Sequence, residues 1–361
     1  MAQGIYIHWP FCRSKCPYCD FFSKVNPKLR QDELIEEYLE DINYYASLVP
    51  NTKITSIFFG GGTPSLIYPQ NIEKIINQIH KRYSCSKKIE ISLEANPNTD
   101  RANLFTELKT AGINRLSLGI QSLNDKNLKF LGRTHSLQDA IKSAQTVLNI
   151  FDNHSADLIY ALPNQNIGEW QQELEQLCKM GFKHLSLYQL TIEEGTVFAQ
   201  KDIKPANEEN AIALYQLSND ILASYGYNRY EVSNYAKKYF ECKHNLLYWQ
   251  GDSYIGIGQG AHGRIQTDGK YFATTHPRKL EEISPLERAQ ELIFMGLRLT
   301  EGINKNKFHH LCRYHFNEVI NKSKFQELIA ANFLLENDTH IRTTPSGNLA
   351  LDQVINHLLD C

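Results

Sequence analysis

Residues 11–22 read FCRSKCPYCDFF. Cys12, Cys16 and Cys19 fall within eight positions, and Phe21 stands where a fourth thiol at the same tight spacing would sit. The run GIYIHW (4–9) immediately before them is short and apolar and reads as a strand. A ligand-rich loop opening from the end of a first strand decides how the rest is read, because parallel α/β folds gather their sites at the carboxyl ends of strands.

Five more runs of that kind follow: ITSIFFG (54–60), IEISLE (89–94), RLSLGI (115–120), ADLIYAL (156–162) and HLSLYQL (184–190). Segments of helical period separate them, at 32–48, 69–83, 101–111, 137–150 and 167–180. This alternation implies an α/β fold with six parallel strands and right-handed crossovers, although periodicity does not say whether the sheet closes into a barrel. After Ala206 a helix runs to about residue 224, and a Tyr- and Gly-rich region, 225–263, shows little periodicity. Helices are expected at 285–299, at 317–331 and from 352, with a hairpin around LLENDTHIRT (334–343). The chain thus divides into a core (1–235), a connecting region (236–284) and a smaller, mainly helical C-terminal domain (285–361).

Composition narrows the function classes. With 361 residues, 42% hydrophobic and 22% charged, the chain can bury a sizeable core without staples. Net charge is −2, and Lys/Arg runs never exceed two residues. A helical tail with a hairpin suggests a winged-helix DNA binder, but residues 285–361 carry eight Lys/Arg against nine Asp/Glu, the wrong balance for a duplex. No nucleic-acid partner is expected. The N-terminus has no signal-peptide pattern and no run of 18 apolar residues occurs, so a cytoplasmic protein, at most peripheral to a membrane, is expected. Thiols clustered in a reducing compartment then read as metal ligands or redox groups. Cys85, Cys178, Cys242, Cys312 and Cys361 are scattered and read as packing residues.

Three chemistries suit the clustered thiols. A structural zinc site would need His8 or Asp20 to complete it, and a redox dithiol would use Cys16 and Cys19 and leave Cys12 idle. A [4Fe-4S] cluster has four iron corners, so three thiolates leave one iron open. Polar residues at successive strand ends offer a ligand site beside it: Gly60–Thr63, Glu94, Gln121 and Asp157, with Arg133 in LGRTH.

The CxxxCxxC spacing resembles that of the radical S-adenosylmethionine (SAM) superfamily, in which SAM occupies the open iron and a reduced cluster passes an electron into its sulfonium. Within it the chain resembles the oxygen-independent coproporphyrinogen III oxidase group, through YIHWPFCRSKCPYCDF, GGGTPS, EANP, LGIQS, LGRTH, DLIYALP and GIGQGAH. The resemblance covers nearly the whole chain. It implies a partial (β/α)6 TIM-type barrel followed by a winged-helix-like domain, with Cys12, Cys16 and Cys19 on the cluster. By the same resemblance Tyr6, Tyr18, Gly61, Gly62, Thr63, Glu94, Gln121, Arg133 and Asp157 would contact SAM.

Two features turn the reading from the oxidases to the heme-chaperone branch of that group. The oxidases carry a cysteine where Phe21 stands and an extension ahead of the loop, whereas this chain has 11 residues before Cys12. The stretch HNLLYW (244–249) matches an HNxxYW motif of the chaperone branch. His244 would then be a heme ligand, with Tyr248 and Trp249 offering flat surface to a porphyrin; His262 and Cys242 are rival iron ligands. The resemblance implies heme as cargo, apo-proteins such as membrane respiratory enzymes as acceptors, a heme donor such as bacterioferritin, and a homodimer. A chaperone without coproporphyrinogen oxidase activity is expected.

Overall fold

A computed structural model describes residues 2–26, 30–50, 52–97 and 103–359. Strands β1 (Ala2–Trp9), β2 (Lys53–Gly61), β3 (Ser84–Ala95), β4 (Arg115–Gln121), β5 (Asn153–Tyr160) and β6 (His184–Gln189) pair in that order, each parallel to the next. Helices between them cover the outer face. The helix expected at 101–111 spans Leu104–Thr110; its expected first two positions lie outside the described residues, as does Cys361.

Alternation along the strands, interrupted by a few register shifts, separates two environments. Ile5, Ile57, Phe59, Leu93, Leu116 and Leu185 point outward and are completely buried in the main apolar core. Each such side chain contributes about 1.5–3 kcal/mol, so the outer face carries the stability. The alternate strand positions, among them Tyr6, Glu94, Ser117, Asp157 and Ser186, line cavities inside the barrel. A filled barrel packs bulky branched residues there. Here the lumen is polar and open.

The sheet does not close. Beyond β6 it continues through two short antiparallel strands, Asn234–Ala236 and Asn228–Arg229. At its other edge β7 (Ser253–Ile257) pairs in parallel with β1, and β8 (His262–Thr267), β9 (Lys270–Thr275) and β10 (Lys279–Ile283) extend it antiparallel. The architecture is therefore a partial barrel within a mixed twelve-stranded sheet. Region 225–263, expected to be irregular, supplies β7 and the helix Lys243–Trp249. The sequence signal was masked because β7 is only five residues long and carries Gly256 at its centre, where a Cβ would lie 2.2 Å from the His262 carbonyl oxygen.

The C-terminal part has its own apolar core, including Ala289, Ile293, Leu334, Ile341 and Ile355. Its first helix, Pro285–Gly296, opens with a capping box between Ser284 and Glu287. The single helix expected at 317–331 is two, Phe316–Val319 and Lys322–Ala330, because Asn321 caps the second by accepting from the Lys324 N–H. A three-stranded antiparallel sheet (Ile303–Asn304, Leu334–Glu336, His340–Thr343) completes the winged-helix-like arrangement. Among the described residues no helix is long and apolar enough to cross a membrane.

Candidate functional site

The cysteine loop leaves β1 and is pinned from several sides. Phe11 and Cys12 pair in parallel with Lys24 and Val25, closing the loop at its base. Gly62 N–H donates to the Trp9 carbonyl (2.7 Å), Thr63 N–H to that of Phe11 (2.9 Å), and Phe198 N–H to that of Pro17 (3.0 Å). His8 Nε2 donates to the Phe22 carbonyl at 2.9 Å, which fixes its tautomer and leaves Nδ1 to accept from the Tyr6 hydroxyl at 3.0 Å. Burial lowers the His8 pKa, in keeping with a neutral ring.

The loop caps a cavity of about 490 Å³ at the carboxyl ends of the strands. Cys12, Cys16 and Cys19 line it, and among the described residues no other cysteine does. Thr63 Oγ1 donates to Cys12 Sγ (3.5 Å) and Arg133 Nη1 to Cys16 Sγ (3.3 Å). Burial pushes the Cys19 thiol up, and the charges of Cys16 and Cys12 push it further. Three such thiols are accommodated when metal replaces their protons. Gly61 sits at φ +106°, and a Cβ on Gly62 would meet the Phe11 carbonyl oxygen at 2.6 Å, so only glycine lets the β2 end lie under the loop. Sulfur ligands, donors to sulfur and a bare backbone beside them fit an iron-sulfur cluster with one open corner.

The opposite wall is polar. Arg133 leaves the turn between the helices Asp125–Phe130 and Leu137–Ile150, the second opened by a Ser136/Asp139 capping box. Its Nη2 donates to Asn96 Oδ1 (2.5 Å) and the Gly119 carbonyl (3.3 Å), and its Nη1 reaches the Tyr18 hydroxyl (3.5 Å). Gln121 ends β4 at φ +67°, a conformation rare for a residue with a side chain and often retained at sites. Glu94 is half-buried and lines the cavity; burial, then the charge of Asp157, raises its pKa to about 8. Burial also raises the pKa of Asp157, which accepts from Ser117 at 3.0 Å.

Of the nine expected SAM-contact positions, Tyr18, Gly61, Gly62, Thr63, Glu94, Gln121, Arg133 and Asp157 line this cavity. Tyr6 lies lower, in a second chamber of about 300 Å³ that shares Glu94, Asp157 and Tyr188 with the first. His244 and Tyr248 line that lower chamber too. His244, expected in a region of little periodicity, is instead helical and only 1% exposed. Both ring nitrogens are engaged, Nδ1 with Ser56 Oγ (2.8 Å) and Nε2 with the Tyr248 hydroxyl (2.6 Å), and burial lowers its pKa to about 3. Trp249 faces the other way, into a cavity of about 270 Å³ against the C-terminal domain, its buried indole N–H without a hydrogen-bond partner among the described residues. Cys242 lines the lower chamber beside Glu90 (3.6 Å), whereas His262 is on β8.

Asn96, Tyr188 and Arg115 were missed by sequence reasoning. Asn96 follows Glu94 by two residues, Tyr188 follows Ser186 by two, and Arg115 precedes Ser117 by two, so period-2 alternation would have placed all three on the inner face.

Residues 6–177 match the radical SAM superfamily and residues 283–349 the HemN C-terminal domain. A heme chaperone HemW of Buchnera aphidicola subsp. Schizaphis graminum is 35% identical over 371 residues, covering 99% of this chain and 98% of that protein. The Escherichia coli heme chaperone HemW is 32% identical, with 98% and 97% covered. Radical S-adenosyl methionine domain-containing protein 1, mitochondrial, of Danio rerio is 34% identical, with 99% and 87% covered. In fold the chain matches the solved coproporphyrinogen III oxidase (HemN) of E. coli at a TM-score of 0.81, with 17% identity over 99% of this chain and 89% of that one. The chain therefore belongs to the radical SAM superfamily, in the coproporphyrinogen III oxidase-like group that includes the proteins named heme chaperone HemW.

Proposed function

We propose that this chain is a heme chaperone that carries a [4Fe-4S] cluster on Cys12, Cys16 and Cys19, holds SAM beside it, binds heme and passes it to apo-proteins. The observation that carries the reading is the cavity with three thiols and, among the described residues, no fourth, in a chain similar over nearly its whole length to proteins named heme chaperone. When bound, the cluster supplies one-electron chemistry to SAM. The chain's own groups do the placing. Arg133 turns its guanidinium toward Cys16 and the position of a ligand carboxylate, Glu94 and Asp157 face an ammonium or hydroxyls, and the backbone at Gly61 and Gly62 admits close approach.

Phe21 supports transport over decarboxylation. It is 60% exposed at the rim of the cavity, where the oxidases carry a cysteine. Acceptors of the membrane respiratory type, a bacterioferritin-like donor, a cytoplasmic location and a dimer belong to the same proposal. Heme contact at the helix Lys243–Trp249 requires His244 Nε2 to exchange Tyr248 for iron. The alternative reading is oxidative decarboxylation of coproporphyrinogen III, the activity named for the solved HemN that this chain resembles in fold.

Anaerobic reconstitution with iron and sulfide, followed by hemin titration, tests the proposal; a saturable Soret shift is expected. The same preparation given coproporphyrinogen III, SAM and a reductant is expected to leave it unchanged, and conversion to protoporphyrinogen would overturn the chaperone reading.

A further inference from the structure

The lower chamber holds a charge that nothing in the proposed chemistry uses. Arg115 lines it, is 2% exposed, and has a buried Nε without a hydrogen-bond partner. Among the described residues its guanidinium has no ion pair or hydrogen bond, although carboxylates lie near enough to be felt. Those carboxylates are taken up by other groups. Glu90 accepts from the His244 backbone N–H (3.2 Å) and the Cys242 thiol (3.6 Å), and Asp157 accepts from Ser117 (3.0 Å) and Ser155 (3.5 Å). A buried cation with idle donors is costly unless an acceptor reaches it.

Register shows where an acceptor would sit. Ser92, Arg115 and Asn153 lie side by side across β3, β4 and β5, one inward layer below Ser117. The chamber above Arg115 is walled on one side by flat rings, with Phe58 stacked on His244 at 5.2 Å and Tyr6 on Phe58 at 6.3 Å. On the other side Ser186, Asn234 and Asn245 offer hydrogen bonds. Its volume of about 300 Å³ equals that of roughly ten waters. A porphyrin does not fit such a space. A short alkyl chain ending in a carboxylate does, its two oxygens on the guanidinium fork and its methylenes against the rings.

We infer that the lower chamber is a carboxylate-binding compartment anchored by Arg115. The carboxylate comes either from a free short-chain acid or from a propionate arm of heme lowered from the upper cavity, and only the second source rests on the proposed function. In either case Arg115 is a binding residue, remote from the thiols and separated from them by Glu94, Asp157 and Tyr188.

The test uses the full chain and 13C-propionate. Saturation-transfer NMR is expected to show magnetisation passing to propionate, and thermal melts are expected to rise saturably with propionate over chloride at matched ionic strength. Arg115→Lys keeps the charge and loses the fork, and is expected to bind about tenfold more weakly, the equivalent of about 1.4 kcal/mol. Absence of transfer and of any melting shift, or an unchanged affinity in Arg115→Lys, overturns the inference. If that variant does not fold, displacement of propionate from the wild-type chain by butyrate supports it, and failure of displacement overturns it. Heme and its dimethyl ester separate the sources: weaker ester binding assigns the site to the propionate arm, and equal binding alongside bound propionate assigns it to a free acid. A chain that binds propionate but no heme refutes the proposed function while leaving this inference standing.

Discussion

The upper and lower halves of the barrel lumen are built by the same six strands and the same alternation, yet they are made in different ways. The upper half depends on exceptions to regular structure: a pinned cysteine loop, a glycine at φ +106° and a glutamine at φ +67°. The lower half is ordinary strand interior, polar where a filled barrel is apolar, and lined by the helix that carries His244. Backbone exceptions bring groups of different elements to a metal. Regular alternation makes a room, and its walls decide what enters.

The largest effect expected separates the halves outright. Replacing Cys12, Cys16 or Cys19 by Ala is expected to remove nearly all bound iron and the iron-sulfur visible absorption after reconstitution, while Arg115→Lys retains both. Loss of iron in the lower-chamber variant would mean that the halves are one site. Next, Gly62→Ala forces a Cβ to within 2.6 Å of the Phe11 carbonyl. A cost of about 1–3 kcal/mol is expected, read as a lower melting temperature together with reduced cluster loading.

Glu94 links the two halves, and its pH behaviour sharpens the division. Its folded-state pKa, about 8, lies above the ordinary value of 4.5. The resulting stabilisation is fully present below 4.5 and is lost as pH rises through about 8. The ligand-free chain should therefore lose melting temperature across that window relative to Glu94→Gln. SAM binding should instead tighten as Glu94 ionises to meet the ammonium group, and that rise should vanish in the Gln variant. The smallest effect concerns the lower wall. Tyr248→Phe removes one hydrogen bond to His244 and should cost about 1 kcal/mol in denaturant unfolding.

Local signals made the cysteine loop and the glycine run legible in the sequence, whereas groups placed only by strand alternation stayed hidden, for physical reasons. Three thiols at tight spacing and a glycine run after a strand are local signals, because the metal and the backbone approach impose them on neighbouring residues. Asn96 in the upper cavity, Tyr188 in both and Arg115 in the lower are placed only by alternation along the strands, so each looked like an ordinary residue. The HNLLYW stretch illustrates the same limit. Its residues were expected to share one flat site, but on the helix His244 and Tyr248 face the lumen and Trp249 faces the C-terminal domain. Likewise β7 hid in a glycine-bearing five-residue run whose place in the sheet depends on a partner about 250 positions away, Ile5 opposite Ile255.

Carriage and release of heme are open to one direct test. The direct measurement loads the anaerobically reconstituted protein with one equivalent of hemin, mixes it with an apo-b-type cytochrome, and follows the Soret band of each. Transfer of the heme absorption to the cytochrome, faster or more complete than with the cluster-free Cys16→Ala protein, is the predicted result. Heme that never binds, or that reaches the cytochrome no better than free hemin does, would contradict it.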